Sequence, residues 1–226
     1  MNRILQMLEL QQELNDATNG LNWENGITKN GKKIDWRRCI YLETAELIES
    51  YPWKHWKNID ASPDYANIKI EIVDIWHFIM SETLRLYKIE SLGSIEDIAR
   101  VVSNMDGFKT FQDEYAKSQL STYEEIEIVE EMIKILFCNS DINTLIISFL
   151  NMSSQLNLKL PELYKLYVGK NILNKFRQNS GYKEGSYIKI WNGKEDNVVM
   201  QTILDTKTDI TPNELYDALK EAYPKS

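Results

Sequence analysis

The sequence predicts an all-α fold, a single-domain helical bundle that takes in residues 1–226. Three observations lead there. Apolar residues recur at helical spacing along most of the chain, helix-start signals stand ahead of several of those runs, and no stretch alternates clearly enough to read as a strand. No internal repeat or low-complexity linker divides the chain, and 226 residues are enough to bury a sizeable core.

The elements follow in order. The N-terminus reads as an amphipathic helix, with Leu5, Leu8 and Leu14 on one apolar stripe. A loop rich in Asn, Gly and Lys runs from Asn19 to Lys33. Asp35 is placed to cap a second helix that reaches Ser50, and Pro52 ends it. The aromatic and basic segment Tyr51–Lys57 is then a loop or sharp turn. Ser62-Pro63-Asp64 announces a third helix, from Tyr65 to Tyr87. Two or three helices fit between Ile95 and Cys138, among them Tyr123–Phe137, which is acidic on its outer side. Further helices fit Asp141–Leu156 and Pro161–Gln178, the latter with Pro at its first position. Asn179–Lys194 is polar, Gly-bearing and Tyr-rich, a loop or short extended piece. Two helices close the chain, the last opened by the capping box Thr211-Pro212-Asn213-Glu214.

Lys and Arg total 26 against 34 Asp and Glu, a net charge of −8. This argues against non-specific binding to a nucleic-acid polymer or an anionic membrane. It does not argue against a nucleotide, because metal ions can bridge acidic residues to phosphates. No apolar run approaches the roughly 20 residues of a membrane span, and the N-terminal pattern is not that of a signal peptide. Cys39 and Cys138 both sit in apolar helical patterns and read as buried free thiols of a cytoplasmic protein.

The third helix is apolar nearly all round, which marks it as buried. Yet Glu71 and Asp74 lie three apart on one of its faces, and the second helix repeats the device with Glu43 and Glu46, followed by Glu49. A buried carboxylate without a partner is costly, and two on one face also repel each other. Divalent cations remove that cost, and all-oxygen ligands suit Mg²⁺, with Mn²⁺ as a substitute. Four such carboxylates across a helix pair place a metal site between core helices, with room for two ions and for phosphate oxygens. The plainer alternative is a set of surface salt-bridge residues on ordinary amphipathic helices. A di-iron bundle needs two Glu-x-x-His motifs. The two histidines do not supply them: His77 follows Asp74 at the right spacing, but His55 has no acid three residues before it. His77 is therefore read as a core or supporting group and not as a ligand.

From Lys165 to Lys194 the charge inverts. Lys165, Lys170, Lys175, Arg177, Lys183, Lys189 and Lys194 face one acid, Glu184. Gly169, Gly181, Gly185 and Gly193 allow close backbone approach, and Asn171, Asn174, Gln178, Asn192 and Asn197 add neutral donors. The mixture suits the phosphates of a nucleotide, although alone it also fits a solvated basic face. Gln11 and Asn15, neighbours on the first helix, could present two amides to a base edge.

Five blocks carry a resemblance to a known family. They are Leu10-Gln-Gln-Glu-Leu-Asn-Asp16 with Thr18-Asn-Gly-Leu-Asn-Trp23; Trp36-Arg-Arg-Cys-Ile-Tyr-Leu-Glu-Thr-Ala-Glu-Leu-Ile48 with Pro52-Trp-Lys-His-Trp-Lys57; Glu71-Ile-Val-Asp-Ile-Trp-His-Phe78; Gly169-Lys-Asn-Ile-Leu-Asn-Lys-Phe-Arg-Gln178 with Gly181-Tyr-Lys-Glu-Gly-Ser-Tyr187; and Trp191-Asn-Gly-Lys-Glu-Asp-Asn197. In these blocks the sequence resembles the dimeric all-α dUTPases, relatives of the MazG-like pyrophosphohydrolases, and looks most like their Campylobacter-type members. The paired carboxylates mark the wider superfamily, while the Trp-Lys-His-Trp segment and the last two blocks point to dUTPases. Residues 90–157 match no motif and are taken as helical scaffold.

The resemblance implies a magnesium-dependent homodimer that hydrolyses dUTP, and also dUDP, to dUMP, with pyrophosphate released from dUTP. Glu43, Glu46, Glu71 and Asp74 match the magnesium ligands, two or more ions being held, and Glu46 matches the carboxylate that takes a proton from the attacking water. Gln11 and Asn15 match amides that read uracil, and Trp53 matches a residue lining the base pocket. Lys170, Asn174, Arg177, Lys183, Tyr187, Lys194 and Asn197 fall in the motifs that contact sugar and phosphates. Two alternatives stay open at this level: a sister enzyme for another nucleotide, such as dCTP, and a non-catalytic nucleotide sensor.

Overall fold

The computed structural model describes residues 2–57, 61–207 and 210–224. Apart from one small hairpin and an isolated bridge, its regular elements are helices, and it packs as two compact units, residues 1–163 and 164–226.

The first unit opens with α1 (Arg3–Asn19), whose N-cap Asn2 accepts from the Ile4 amide. Its buried face is Ile4, Met7, Leu8, Gln11 and Asn15. The expected stripe of Leu5, Leu8 and Leu14 is therefore rotated, because Leu5 and Leu14 are only half-buried and two amides complete the inward row. A short 3-10 turn at Trp23–Asn25 and a bridge between Ile27 and Lys33 shape the following loop. Helix α2 (Trp36–Glu49) starts at Asp35, whose side chain accepts from the Arg38 amide as the sequence predicts. Helix α3 (Tyr65–Ile89) is capped in the same way by Asp64 and is buried on most of its circumference, with Ile68, Ile72, Ile75, Trp76 and Ile79 in the core. Trp76 stacks on Phe149 at 4.8 Å.

Three helices fill Ile95–Cys138: α4 (Ile95–Ser103), α5 (Phe108–Gln112) and α6 (Thr122–Cys138). Capping boxes at Ser94 and Ser121 start α4 and α6. Helix α7 (Ile142–Gln155) follows, capped by Asp141. Within this unit α2 lies along α3, while α1, α4 and α7 also pack on α3. Three aromatic rings fasten the end of α1 and the start of α2 to the middle of α3. Trp36 stacks on Phe78 at 5.8 Å and meets Trp23 edge-on at 5.8 Å, and the Trp23 indole donates to Asp16 at 3.0 Å. Both cysteines are free thiols, but only Cys39 is partly covered. Cys138, the last residue of α6, is exposed, because its position at the helix end carries it past the core.

Helix α8 (Leu160–Asn179) crosses the division between the units in sequence. The second unit continues with strands β1 (Ile190–Trp191) and β2 (Lys194–Glu195), then α9 (Asp196–Thr206) and α10 (Pro212–Ala222), the latter opened by the expected capping box at Thr211. The hairpin corrects the strand-free reading. Asn192 and Gly193 both have positive φ, 51° and 82°, which is the two-residue turn that Asn-Gly favours. Gly169, read from sequence as a point of ligand approach, instead lets α8 and α9 close on each other, since a Cβ there would lie 2.6 Å from Leu204 Cδ1. The core of this unit joins Leu173, Met200, Leu204, Leu215 and Leu219 to an aromatic cluster centred on Phe176. Phe176 packs edge-on against Trp191, Tyr216 and Tyr223 at 5.8, 5.5 and 5.4 Å, and Tyr223 stacks on Tyr187 at 5.4 Å.

So small a unit depends on that cluster. Phe176→Ala should cost about 3–5 kcal/mol, the range for removing a buried aromatic ring. Urea unfolding followed by circular dichroism checks it, and a cost below about 1 kcal/mol would show that the cluster is not the core of this unit.

Candidate active site

The buried face of α2 is Ile40, Thr44 and Leu47. Glu43 lies at the edge of that face and Glu46 further round, so Glu43 is half-buried and Glu46 exposed. On α3 the apolar residues leave Glu71 no route to water, and it is 6% exposed, while Asp74 is half-buried. Packing of α2 on α3 brings carboxylate oxygens of Glu43, Glu46 and Glu71 within 4.8 Å of one another. Asp74 is not part of that close triad, but its charge acts on Glu43.

The arrangement is electrostatically unfavourable without a cation. Burial, with the charges of Asp74, Glu71 and Glu46 and a hydrogen bond that the protonated Glu43 donates to Glu71, pushes the Glu43 carboxyl up to about 8. Three hard oxygen donors at this spacing, with no soft ligand among them, fit a divalent cation such as magnesium. Next to the triad, Glu46 lines a cleft of about 450 Å³ together with Glu49, Ser50, Tyr51, Pro52, Ala61, Ser62, Asp64 and Asn67. Glu49 is held by an ion pair with Lys54. An acidic cleft of this kind admits a phosphate chain only if cations stand between the two.

The remaining residues of interest fall into two groups. Gln11 and Asn15 are buried side by side on α1, bonded to Ser81 and, through Gln11, to His77 of α3. Trp53 is half-buried, meets Trp56 edge-on at 5.6 Å and has the Lys54 ammonium 5.5 Å from its ring centre. It is Tyr51 and Pro52 that are found on the wall of the cleft.

In the second unit, Lys170, Asn174, Arg177, Tyr187 and Asn197 are brought together by a residue that sequence reasoning passed over, Asp196. Its side chain is fully buried and takes both arms of the Arg177 guanidinium, from Nε and Nη2 at 2.8 Å each. The Tyr187 hydroxyl donates to it at 2.8 Å, as does the Asn197 amide. Arg177 also donates to Asn174 Oδ1, and Lys170 Nζ to Asn197 Oδ1 at 2.9 Å. Burial works to raise the Asp196 carboxyl, but the Arg177 fork and the Tyr187 hydroxyl outweigh it and hold it below the usual range. Lys183 and Lys194 are exposed. The signal for Asp196 was present in the sequence, as an acid directly after the basic stretch, beside Glu195, at the first position of a helix.

The acid triad has a consequence for stability. In the unfolded chain Glu43 titrates near 4.5, and in the metal-free fold near 8. The folded state thus holds the proton more tightly. Its contribution to stability is complete below about pH 4.5 and is lost as pH rises through about 8. The melting temperature of metal-free protein should fall across that window. Glu43→Gln should flatten the fall, and added Mg²⁺ should raise the melting temperature more at the alkaline end. Differential scanning calorimetry over pH, with EDTA or Mg²⁺, checks both effects; a flat profile for metal-free wild type would contradict them.

A comparison with curated proteins finds no match. The family model described as dUTPase matches residues 3–182. That span takes in the four carboxylates, Gln11, Asn15, Trp53 and the late segment as far as Tyr182, and it leaves Lys183, Tyr187, Lys194 and Asn197 outside. The fold agrees with the all-helical architecture expected, and the acid triad lies inside the matched region. With well over half of its length matched, the chain belongs to the dUTPase family and is a dUTP diphosphatase.

Proposed function

We propose that the protein hydrolyses dUTP to dUMP and pyrophosphate, and dUDP to dUMP, in a magnesium-dependent reaction at the acid cluster between α2 and α3. The observation that carries this reading is the convergence of Glu43, Glu46 and Glu71, with the Glu43 carboxyl pushed up to about 8 by burial and by its neighbours. Glu43, Glu46, Glu71 and Asp74 are the proposed ligands of two or more ions, with Mn²⁺ able to replace Mg²⁺. When bound, magnesium supplies positive charge to the phosphate oxygens and makes water more acidic.

The protein's own groups do the rest. Glu46, exposed on the wall of the cleft, accepts the proton of the attacking water. The buried Glu71 and the half-buried Glu43 are held by packing, so the site is formed before substrate arrives. Gln11 and Asn15 read uracil, and Trp53 lines the base pocket. Lys170, Asn174, Arg177, Lys183, Tyr187, Lys194 and Asn197 contact sugar and phosphates. The bonds of Arg177, Lys170 and Tyr187 around Asp196 favour a pre-set cradle over separate mobile cations. The working form is a homodimer.

Pyrophosphate release from dUTP, dCTP, dTTP and UTP, each with Mg²⁺ or EDTA, tests the reading. Mg²⁺-dependent release from dUTP alone is expected, and release from dCTP instead would overturn the base assignment. Glu46→Gln and Asp74→Ala should each lower turnover at least about a hundredfold, the scale for losing a general base or a metal ligand, with helical content unchanged. Near-normal turnover in either variant would contradict the proposed roles.

A further inference from the structure

The two helices that carry the acids meet at Ser50. Its carbonyl accepts from the Asp64 amide and its hydroxyl from Asn67 Nδ2, each at 2.9 Å, which ties the end of α2 to the start of α3. The cleft that Glu46 lines opens at this junction, and Tyr51, the next residue, is part of its wall. We propose that Glu125 is a positioning residue for dUTP hydrolysis: from α6 it holds Tyr51, and with it the cleft wall and the last turn of α2, where Glu46 stands. This rests on the reading that Glu46 and its cleft serve the reaction.

The hold follows from how α6 lies on α2. Arg37 and Tyr41, early in α2, meet the last residues of α6. The Arg37 guanidinium donates to the carbonyls of Leu136, Asn139 and Ser140 at 2.6, 2.9 and 3.0 Å, and Tyr41 meets Phe137 edge-on at 5.3 Å. Tyr51, just past the end of α2, faces Glu125 in the first turn of α6. The two helices therefore run antiparallel, and α2 is gripped at both ends. Arg37 makes the grip at one end with full hydrogen bonds, and the Tyr51–Glu125 contact makes it at the other.

That second contact is buried. Tyr51 is 4% exposed and Glu125 5%. The Tyr51 hydroxyl and Glu125 Oε2 are shut off from water, and neither makes a hydrogen bond of ordinary geometry among the described residues. They act on each other instead. Burial pushes the Tyr51 hydroxyl up, and the Glu125 charge and its pull on the hydroxyl proton add to it. Tyr51 in turn draws the Glu125 carboxyl down, against a larger upward push from burial. A buried carboxylate oxygen with one donor near it keeps that donor in place, because letting it go would leave the oxygen with none. Tyr51 passes the constraint to α2 through its own backbone, since its amide donates to the Ile48 carbonyl at 3.0 Å.

The test is kcat for dUTP at saturating Mg²⁺, measured on the full chain beside the melting temperature. Glu125→Ala and Tyr51→Phe are each expected to lower kcat about tenfold, the scale for leaving a buried polar group without its partner, and the double variant no further than either alone. Glu125→Gln, which keeps an acceptor for the hydroxyl, is expected to stay within about threefold of wild type. Should Glu125→Ala fail to fold, Tyr51→Phe makes the same cut from the other side, and an unchanged kcat there overturns the proposal. A lower melting temperature with kcat unchanged would make Glu125 structural and overturn it too. So would losses that multiply in the double variant, because Glu125 would then not act through Tyr51. Glu46→Gln separates the two layers. If it lowers kcat about a hundredfold while the Tyr51 and Glu125 variants turn over normally, only the positioning role fails. If Glu46→Gln itself turns over normally, the reading of the cleft fails and the proposal with it.

Discussion

Glu71 has nowhere to go. It sits in a helix that is apolar on almost every side, 6% exposed, with carboxylates of α2 within 4.8 Å. Rotating it outward would carry Ile68, Ile72 and Ile75 into water, at the cost of exposing buried hydrocarbon. The repulsion between the acids therefore cannot relax by local movement, and the helix pair must be held together against it. The Trp23–Trp36–Phe78 cluster and the packing of α1, α4 and α7 on α3 do this. What remains is an acid group that must keep a proton or gain a cation, and a dUTP diphosphatase has use for the cation.

The two units treat buried acid in opposite ways. In the first, Glu43, Glu46 and Glu71 stand within 4.8 Å of one another, and the charges of its neighbours help to hold a proton on Glu43. In the second, Asp196 is as deeply buried but carries its own counter-ion in Arg177, with Tyr187 and the Asn197 amide completing its bonds. A satisfied pair of this kind fixes geometry, whereas an unsatisfied cluster binds. The basic block is thus partly structural in its own unit. The Arg177 charge is balanced by Asp196, and Lys170 is hydrogen-bonded to Asn197.

The polar residues of α3 form one stripe: Glu71, Asp74, His77 and Ser81 follow one another at steps of three and four. The first two meet acids of α2, and the last two meet amides of α1. One face of one buried helix thus carries two polar groupings, about one turn apart. Rigidity is the shared requirement, and a core helix supplies it better than a loop.

Much of this was readable beforehand. Asp35, Asp64 and Thr211 cap helices because short polar side chains satisfy the first amides of a helix wherever they stand. Helical spacing placed Glu71 beside Asp74 and Glu43 beside Glu46 for the same local reason. Other features were missed although their signals were present: the Asn192-Gly193 turn, the amide row that continues the α1 stripe, and Asp196. The exposure of Cys138 and the packing role of Gly169 carried no such signal, since each depends on what lies opposite.

The sequence by itself determined the helices, their caps and the residue types on each face, because these follow from backbone geometry over a few residues. Tertiary structure alone decided that Glu43 would feel Asp74, that Arg177 would be bound to Asp196, and that one hydroxyl of α3 would accept from two amides of α1. Those outcomes depend on distances between elements, and charge and hydrogen bonding act across such distances without regard to order along the chain.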